Sequence, residues 1–597
     1  MCGLAGALAY HPDAPAVDVG ELLRVRDRMV ARGPDGAGLW LSDDRRVGLA
    51  HRRLAIIELS ESGAQPMADP ANGNCIVFNG EIYNHAELRE QLVRDGVPVH
   101  SQSDTEVLLK LYARHGTAML KMLRGMFAFV VWDAAHQKML LARDAFGIKP
   151  LYLANDGRTL RFASQVKALL AAPVDTRPEP AGHVGFLLWG SVPEPYTLFK
   201  GIRALPPGHW LEVVQGQVGR PVCFDSPRLA LTEVQNASVL PVPEALAQMV
   251  QGIQDSVAAH MVADVDVGVF LSAGLDSTML ASTAASHGRL RTTTLGFDEY
   301  AGGPFDEAAL AGVVAQLLGT DHHLHQISAA HFAADREAML SAMDQPSIDG
   351  INTWFVAKAA AQQGLKVALS GIGGDELMGS YPSFQQVPKL REQLAPLAHA
   401  PWVGRASRQL LAPFGNLLPS PKYAGLLEYG STLGGAYQLR RGLFMPWEVA
   451  QLLGRGMANE GLQELGTTTA LNHSMDGLVP DRLAMSALEM QWYMKNQLLR
   501  DADWAGMAHS LEIRVPFVDT TLLRQLSPLP SVPVGEQKAM VARAVAPNLP
   551  EAVLNRPKTG FAVPIHQWLN PGAEMTAGNH RGWARMLYQR FTGGALA

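Results

Sequence analysis

Only three cysteines, Cys2, Cys75 and Cys223, occur in 597 residues, too few and too scattered for a disulfide framework or a four-ligand zinc site. No stretch approaches the ~18 uninterrupted apolar residues that a membrane span requires, and the amino terminus lacks a basic flank followed by an apolar run. Lys plus Arg number 50 against 56 for Asp plus Glu, a net charge of −6, and no block of one sign is long enough to track a phosphate backbone. Internal repeats and low-complexity tracts are also missing. These absences argue against a secreted disulfide scaffold, a membrane protein and a nucleic-acid partner, and fit a reducing cytoplasm. What is abundant is apolar side chain, 47% of residues, enough to offset the conformational entropy of ordering a large core. The length corresponds to about four modules of ~150 residues, or to two large α/β units.

Two patterns divide the chain. Up to about Tyr196 the sequence reads as short β-rich runs (Gly48 to Ile57, Cys75 to Phe78, Met126 to Trp132, Met139 to Arg143) separated by turns. Amphipathic helices interrupt them over Glu21 to Ala31 and Asp104 to His115. An α-plus-β sandwich is expected. The proline-rich stretch from Pro173 to Pro243 reads as a linker with a small hairpin, His209 to Val213 being one strand. Beyond it, strands (Val265 to Leu271, Thr292 to Gly296, Lys366 to Leu369) alternate with helices (Glu244 to His260, from Asp276, Glu307 to Leu318), which implies a parallel sheet. Residues from about Phe384 to Arg500 show mostly helical periodicity. The divisions expected are 2–200, a linker over 201–240, and 241–597.

Cys2 carries the first chemical clue. A small second residue lets the initiator Met be trimmed, and an amino-terminal cysteine can use its own α-amine as base, because that amine titrates near neutrality. Its surroundings supply what an amino-acid amide needs. Arg53 and Asp104 could clamp a substrate's carboxylate and ammonium, and Asn79 with the Gly80 N–H could form an oxyanion hole. Structural roles stand beside these: an ion pair for Arg53, a helix N-cap for Asp104, a hairpin turn for Asn79-Gly80.

In the second half, Val267 to Ser277 (VGVFLSAGLDS) is an apolar strand entering a Ser/Gly loop that opens a helix, an arrangement whose backbone N–H groups can cradle phosphate. The absence of Gly-Lys-Ser/Thr separates it from the P-loop. Asp276 and Asp375, both at strand C-terminal ends, could hold Mg2+ through pyrophosphate oxygens; helix capping is the alternative.

Seven ordered matches (Met1-Cys2-Gly3, Arg32 to Asp35, His51 to Leu54, Asn79 to Asn84, Ser103-Asp104, Gly125 to Phe129, and Arg143-Asp144 with Gly147 to Tyr152) make the first half similar to the class II glutamine amidotransferase domain. The whole chain resembles glutamine-hydrolysing asparagine synthetase. The resemblance implies an αββα N-terminal-nucleophile hydrolase sandwich followed by an α/β ATP-pyrophosphatase domain with a helical extension. It also implies glutamine-dependent amidation of a carboxylate through an acyl-adenylate, with ATP cleaved to AMP and pyrophosphate and aspartate as the default acceptor. Cys2 is then the nucleophile, with Asn79 and Gly80 as oxyanion donors, and Arg53, Leu54, Ile56, Glu81 and Asp104 join them in holding glutamine. ATP would fall to Phe270, Leu271, Ser272, Gly274, Asp276, Ser277, Leu295, Ser370, Gly371, Asp375 and Lys558. Ile372, Glu376 and Glu512 are the candidates for acceptor activation, Asp276 and Asp375 the metal ligands, and a homodimer is allowed. Two positions depart from the family pattern. Ala273 stands where glycine is usual, costing of order a kilocalorie only if φ is positive, and Ile372 stands where asparagine synthetases commonly carry a glutamate. The latter leaves room for a pathway-specific acid as acceptor, and the two departures together for a silent homologue.

Overall fold

The computed structural model describes residues 2–526, 536–556, 563–569 and 580–593. Alternation of side chains builds the amino-terminal half. In the strand Gly3–Ala9, Leu4 and Leu8 point one way and Ala5, Ala7 and Ala9 the other. In Cys75–Ile82, Cys75 and Val77 oppose Ile76, Phe78 and Ile82. Each strand therefore feeds two cores, as period-2 geometry requires when both faces are covered. Two antiparallel sheets, of six and seven strands, share the middle core. Helices Val19–Asp27 and Val166–Leu169 cover the outer face of one sheet, and helices His85–Arg94 and Asp104–His115 that of the other.

The segment expected as a linker is woven into this body. Arg203–Ala204 pairs with Tyr152–Asn155 in the first sheet, and His209–Val214 pairs with Lys138–Arg143 in the second. The expected hairpin exists, His209–Val214 turning back into Gln217–Val218, but it belongs to a sheet. Upstream, Pro180–Trp189 is a helix buried from Pro180 to Leu188, and Gly461 lets the helix Arg455–Leu465 approach it, since a Cβ there would lie 2.4 Å from the Pro180 carbonyl oxygen. Proline here does not mark irregular chain, because Pro180 occupies the first turn of the helix, where no N–H is needed.

The second half holds a five-stranded parallel sheet in the order Asp321–Ile327, Arg291–Phe297, Val267–Phe270, Val367–Leu369, Glu512–Arg514. The last strand arrives from beyond the helical segment, which includes an eleven-residue π-helical stretch, Glu489–Leu499. One apolar cluster joins the halves. Leu54, Ile56, Met126 and Ile148 pack in the same core as Leu271, Met279, Leu377 and Leu488. No helix among the described residues is long and apolar enough to cross a membrane.

Candidate active site

Cys2 lies directly before the strand Gly3–Ala9, buried, with its N–H donating to Asn79 Oδ1 at 2.9 Å and its Sγ 3.9 Å from the Leu54 carbonyl oxygen. Burial pushes its thiol up, so a nearby base is needed to form the thiolate. Asn79 has no exposure, and its Nδ2 has no hydrogen-bond partner. An unpaired buried donor is costly unless a ligand satisfies it, and this one sits on the residue that holds the cysteine. Gly80 follows in mid-strand at φ +154°, where a Cβ would come 2.1 Å from the Met126 carbonyl oxygen. Asn79-Gly80 is therefore strand and not a hairpin turn, paired with Ala128 and Phe127.

Glu81 and Asp104 are both buried and raised, chiefly by burial. Asp104 Oδ2 accepts from the Ile82 N–H at 3.1 Å. The N-cap of its helix is Ser103, which leaves the Asp104 carboxylate turned toward the Glu81 strand. Arg53 ends the strand Val47–Arg53 and donates to the carbonyls of Glu58 and, at 2.8 Å, Ser60. Among the described residues no carboxylate pairs with it, so its charge remains available to an anion. Leu54 and Ile56 are buried beside it.

The synthetase half completes this chamber from below. Arg32 donates through Nε to the Cys2 carbonyl oxygen at 3.1 Å and makes a two-pronged pair with Asp503 at 2.7 and 2.9 Å. Arg514, fully buried, binds Glu512 at 2.6 Å and stands 3.6 Å from Glu81. Glu512, expected beside the acceptor, instead lies in this interface: burial opposes its charge, while the nearby Arg514 and Lys149 favour it. Glu512 takes this place because it begins the edge strand Glu512–Arg514 of the parallel sheet. Arg32 sits in a motif visible in the sequence, but nothing in the sequence pairs it with Asp503, 471 positions away.

The remaining expected residues meet in a second chamber. Phe270, Leu271, Ser272, Gly274, Asp276, Ser277, Leu295, Ser370, Gly371, Ile372, Asp375 and Glu376 all line one cavity of about 930 Å³. Ser277 Oγ folds back to Ser272, 2.8 Å from its Oγ, and the helix Leu275–Ala285 starts at Gly274 with no side-chain cap, leaving its first N–H groups for an anion. Among the described residues the non-glycine positive φ values belong to Arg45, Glu58, Gln137, Gln215 and Ser510. Ala273 is thus free of the penalty its methyl would otherwise carry. The turn at Gly373-Gly374 closes on Asp276, a Cβ at Gly374 falling 2.2 Å from Asp276 Oδ1. Lys538, missed in the sequence, donates to Asp276 and, at 2.6 Å, to Asp375. Its ammonium between two carboxylates marks a place for positive charge, and hard oxygen donors shared with phosphate suit Mg2+. Lys558 lies outside the described residues. The His322-His323-Leu324-His325 run belongs to a sheet-edge strand, and no cluster of three metal-ligating side chains occurs among the described residues.

A cysteine presented at a strand start over an unsatisfied amide, sharing a core with a parallel sheet that carries a phosphate-type loop, defines a glutamine amidotransferase joined to a nucleotide-using synthetase. Comparison with known families agrees: a glutamine amidotransferase domain matches residues 1–222 and an asparagine synthase domain residues 249–580. The chain belongs to the asparagine synthase family and is a carbon–nitrogen ligase performing glutamine-dependent amidation. It is 34% identical over 579 residues to asparagine synthetase [glutamine-hydrolyzing] 1 of Bacillus subtilis, covering 95% of this chain and 88% of that protein. It is 32% identical over 600 residues to a putative asparagine synthetase of Mycobacterium tuberculosis (96% and 89%). It is also 28% identical over 648 residues to Amidase chry2 of Gibberella zeae (96% and 90%).

Proposed function

We propose that Cys2, once it is the amino-terminal residue, is the glutaminase nucleophile. Its amine, held by Asn79 Oδ1, takes the thiol proton. The sulfur adds to the glutamine amide carbon while Asn79 Nδ2 and the Gly80 N–H receive the developing oxyanion. The C–N bond breaks, ammonia leaves with a proton, and water hydrolyses the thioester to glutamate. Arg53 pairs with the substrate carboxylate, Glu81 and Asp104 with its ammonium. The observation that carries this reading is Asn79, one side of which holds Cys2 while the other is buried and unpartnered.

In the second chamber the acceptor carboxylate attacks the α-phosphorus of ATP, pyrophosphate leaves, and ammonia displaces AMP from the acyl carbon. Ser272, Gly274 and Ser277 present donors to phosphate, and Asp276 and Asp375 would hold Mg2+, which neutralises the leaving pyrophosphate. The apolar core common to both halves supports interior passage of ammonia, which would be protonated in water. Aspartate is the default acceptor. Ile372, which lines this cavity and packs against the shared core, favours a second reading in which a different carboxylic acid is amidated, because an isoleucine neither carries charge nor accepts a proton. Separate assays of glutamate release and AMP formation, with and without aspartate, test both: AMP only with another acid selects the second reading, and glutamate without AMP for any acid overturns amidation.

A further inference from the structure

The 930 Å³ cavity extends past the nucleotide loop into the helical segment, and its far wall carries positive charge that nothing in the family roles uses. From Asp375 the side chains run outward in contact. Glu376 accepts from the Tyr381 hydroxyl at 3.0 Å, and Tyr381 stacks on the Arg441 guanidinium, 4.6 Å from its ring centroid. Arg441 is covered on its other side by Tyr493 at 4.0 Å and neutralised by the buried Glu489. Beyond this stack, Arg440 and Lys422 also line the cavity. Arg440 donates only to a neutral amide, Gln386 Oε1 at 2.9 Å, and among the described residues neither it nor Lys422 has a carboxylate partner. Glu448, the nearby acid, is taken by Arg581 in a two-pronged pair at 2.8 and 3.1 Å. Burial, then the Arg581 and Arg440 charges, depress Lys422 to about 8. Arg440 is exposed and Lys422 half-buried; the nearby acids Glu489 and Glu448 are engaged by Arg441 and Arg581, which leaves both cations on the cavity wall able to pair with an anionic ligand.

We propose that Lys422 and Arg440 form an anion subsite on the wall of this cavity, so that the acid amidated here is held there by a second anionic group, a carboxylate, sulfate or phosphate, distinct from its reacting carboxylate. This rests on the amidation reading above for the identity of the ligand, but not for the existence of the subsite.

Pyridoxal 5′-phosphate, an aldehyde carrying a phosphate, probes the subsite without turnover. With ATP present to fill the nucleotide end, the unprotonated Lys422 amine adds to the aldehyde, water leaves, borohydride reduces the imine, and peptide mass mapping reads the site. Lys422 is expected to be modified about tenfold or more faster than by pyridoxal, which lacks the phosphate, and Arg440→Gln should remove that advantage. Equal labelling by the two aldehydes, or no labelling of Lys422, overturns the subsite. AMP release is then compared for monocarboxylates and for matched acids ending in a second carboxylate, sulfate or phosphate. Preference for one dianionic series, lost in Lys422→Gln, supports the assignment and identifies the group; activity with monocarboxylates alone overturns it. Selective labelling with no AMP from any acid would sink the amidation reading and leave an anion subsite standing.

Discussion

The guanidinium of Arg32 spans the two halves of the protein, its Nη1 and Nη2 on the two carboxylate oxygens of Asp503 and its Nε on the carbonyl of Cys2. The peptide after the nucleophile is therefore fixed by a charge from the synthetase half. Removing one partner of such a buried pair leaves the other uncompensated, at about 3–5 kcal/mol. Asp503→Asn should lower stability to denaturant by that order and reduce glutamate release more than ammonium-dependent product formation. Equal losses in the two assays would show that the pair serves folding alone.

Cys2→Ala should abolish glutamate release and glutamine-dependent synthesis while product still forms with added ammonium salt. Comparison of the two nitrogen sources in one preparation checks it, and persistent glutamine-dependent synthesis would remove Cys2 from the mechanism.

At the oxyanion position, Asn79→Ala should cost about 100- to 1,000-fold in the rate of glutamate release. Gly80→Ala should do comparable damage for a different reason, because its Cβ would meet the Met126 carbonyl oxygen at 2.1 Å. Steady-state kinetics with circular dichroism as a folding control separates the two.

Asp375→Asn removes one of the two carboxylates that converge on Lys538. AMP formation should fall by about 100-fold or more, as loss of a metal-neutralising group implies, with glutamate release still detectable. Unchanged AMP formation at limiting Mg2+ would exclude Asp375 as a ligand.

Burial, then the neighbouring Asp375 charge, raises Glu376 from its ordinary 4.5 to about 8. The folded state therefore holds a proton that the unfolded chain releases between these values. The stabilisation is complete below about 4.5 and is lost as pH rises through about 8, where ionised Glu376 is buried against its neighbour. Denaturation midpoints should fall across that window, and Glu376→Gln should flatten the fall; a variant as pH-sensitive as wild type would assign the effect elsewhere.

The elements with strong local periodicity were legible in the sequence: Asp104–His115 emerges with the expected bounds, and Val267–Phe270 enters the Ser/Gly loop as read. The Pro180–Trp189 helix was not, because a helix buried almost all round lacks an amphipathic stripe and its prolines resemble those of a loop. Glu512 and Lys538 show the corresponding limit at the sites. A charged residue in an unremarkable context acquires its role from a strand or helix that the chain reaches only after a long excursion.

Residue identities alone determined the chemistry on offer, since a second-position thiol, an Asn-Gly-Glu run and a Ser/Gly loop at a helix start each act through local backbone geometry. Tertiary structure alone decided which charges meet. It set Arg32 against Asp503, moved Glu512 to the floor of the glutamine chamber, put Lys538 between the two aspartates and left Lys422 and Arg440 facing a cavity. Electrostatic partners depend on distance in space and on exclusion of water, and neither quantity is written in the order of residues along the chain.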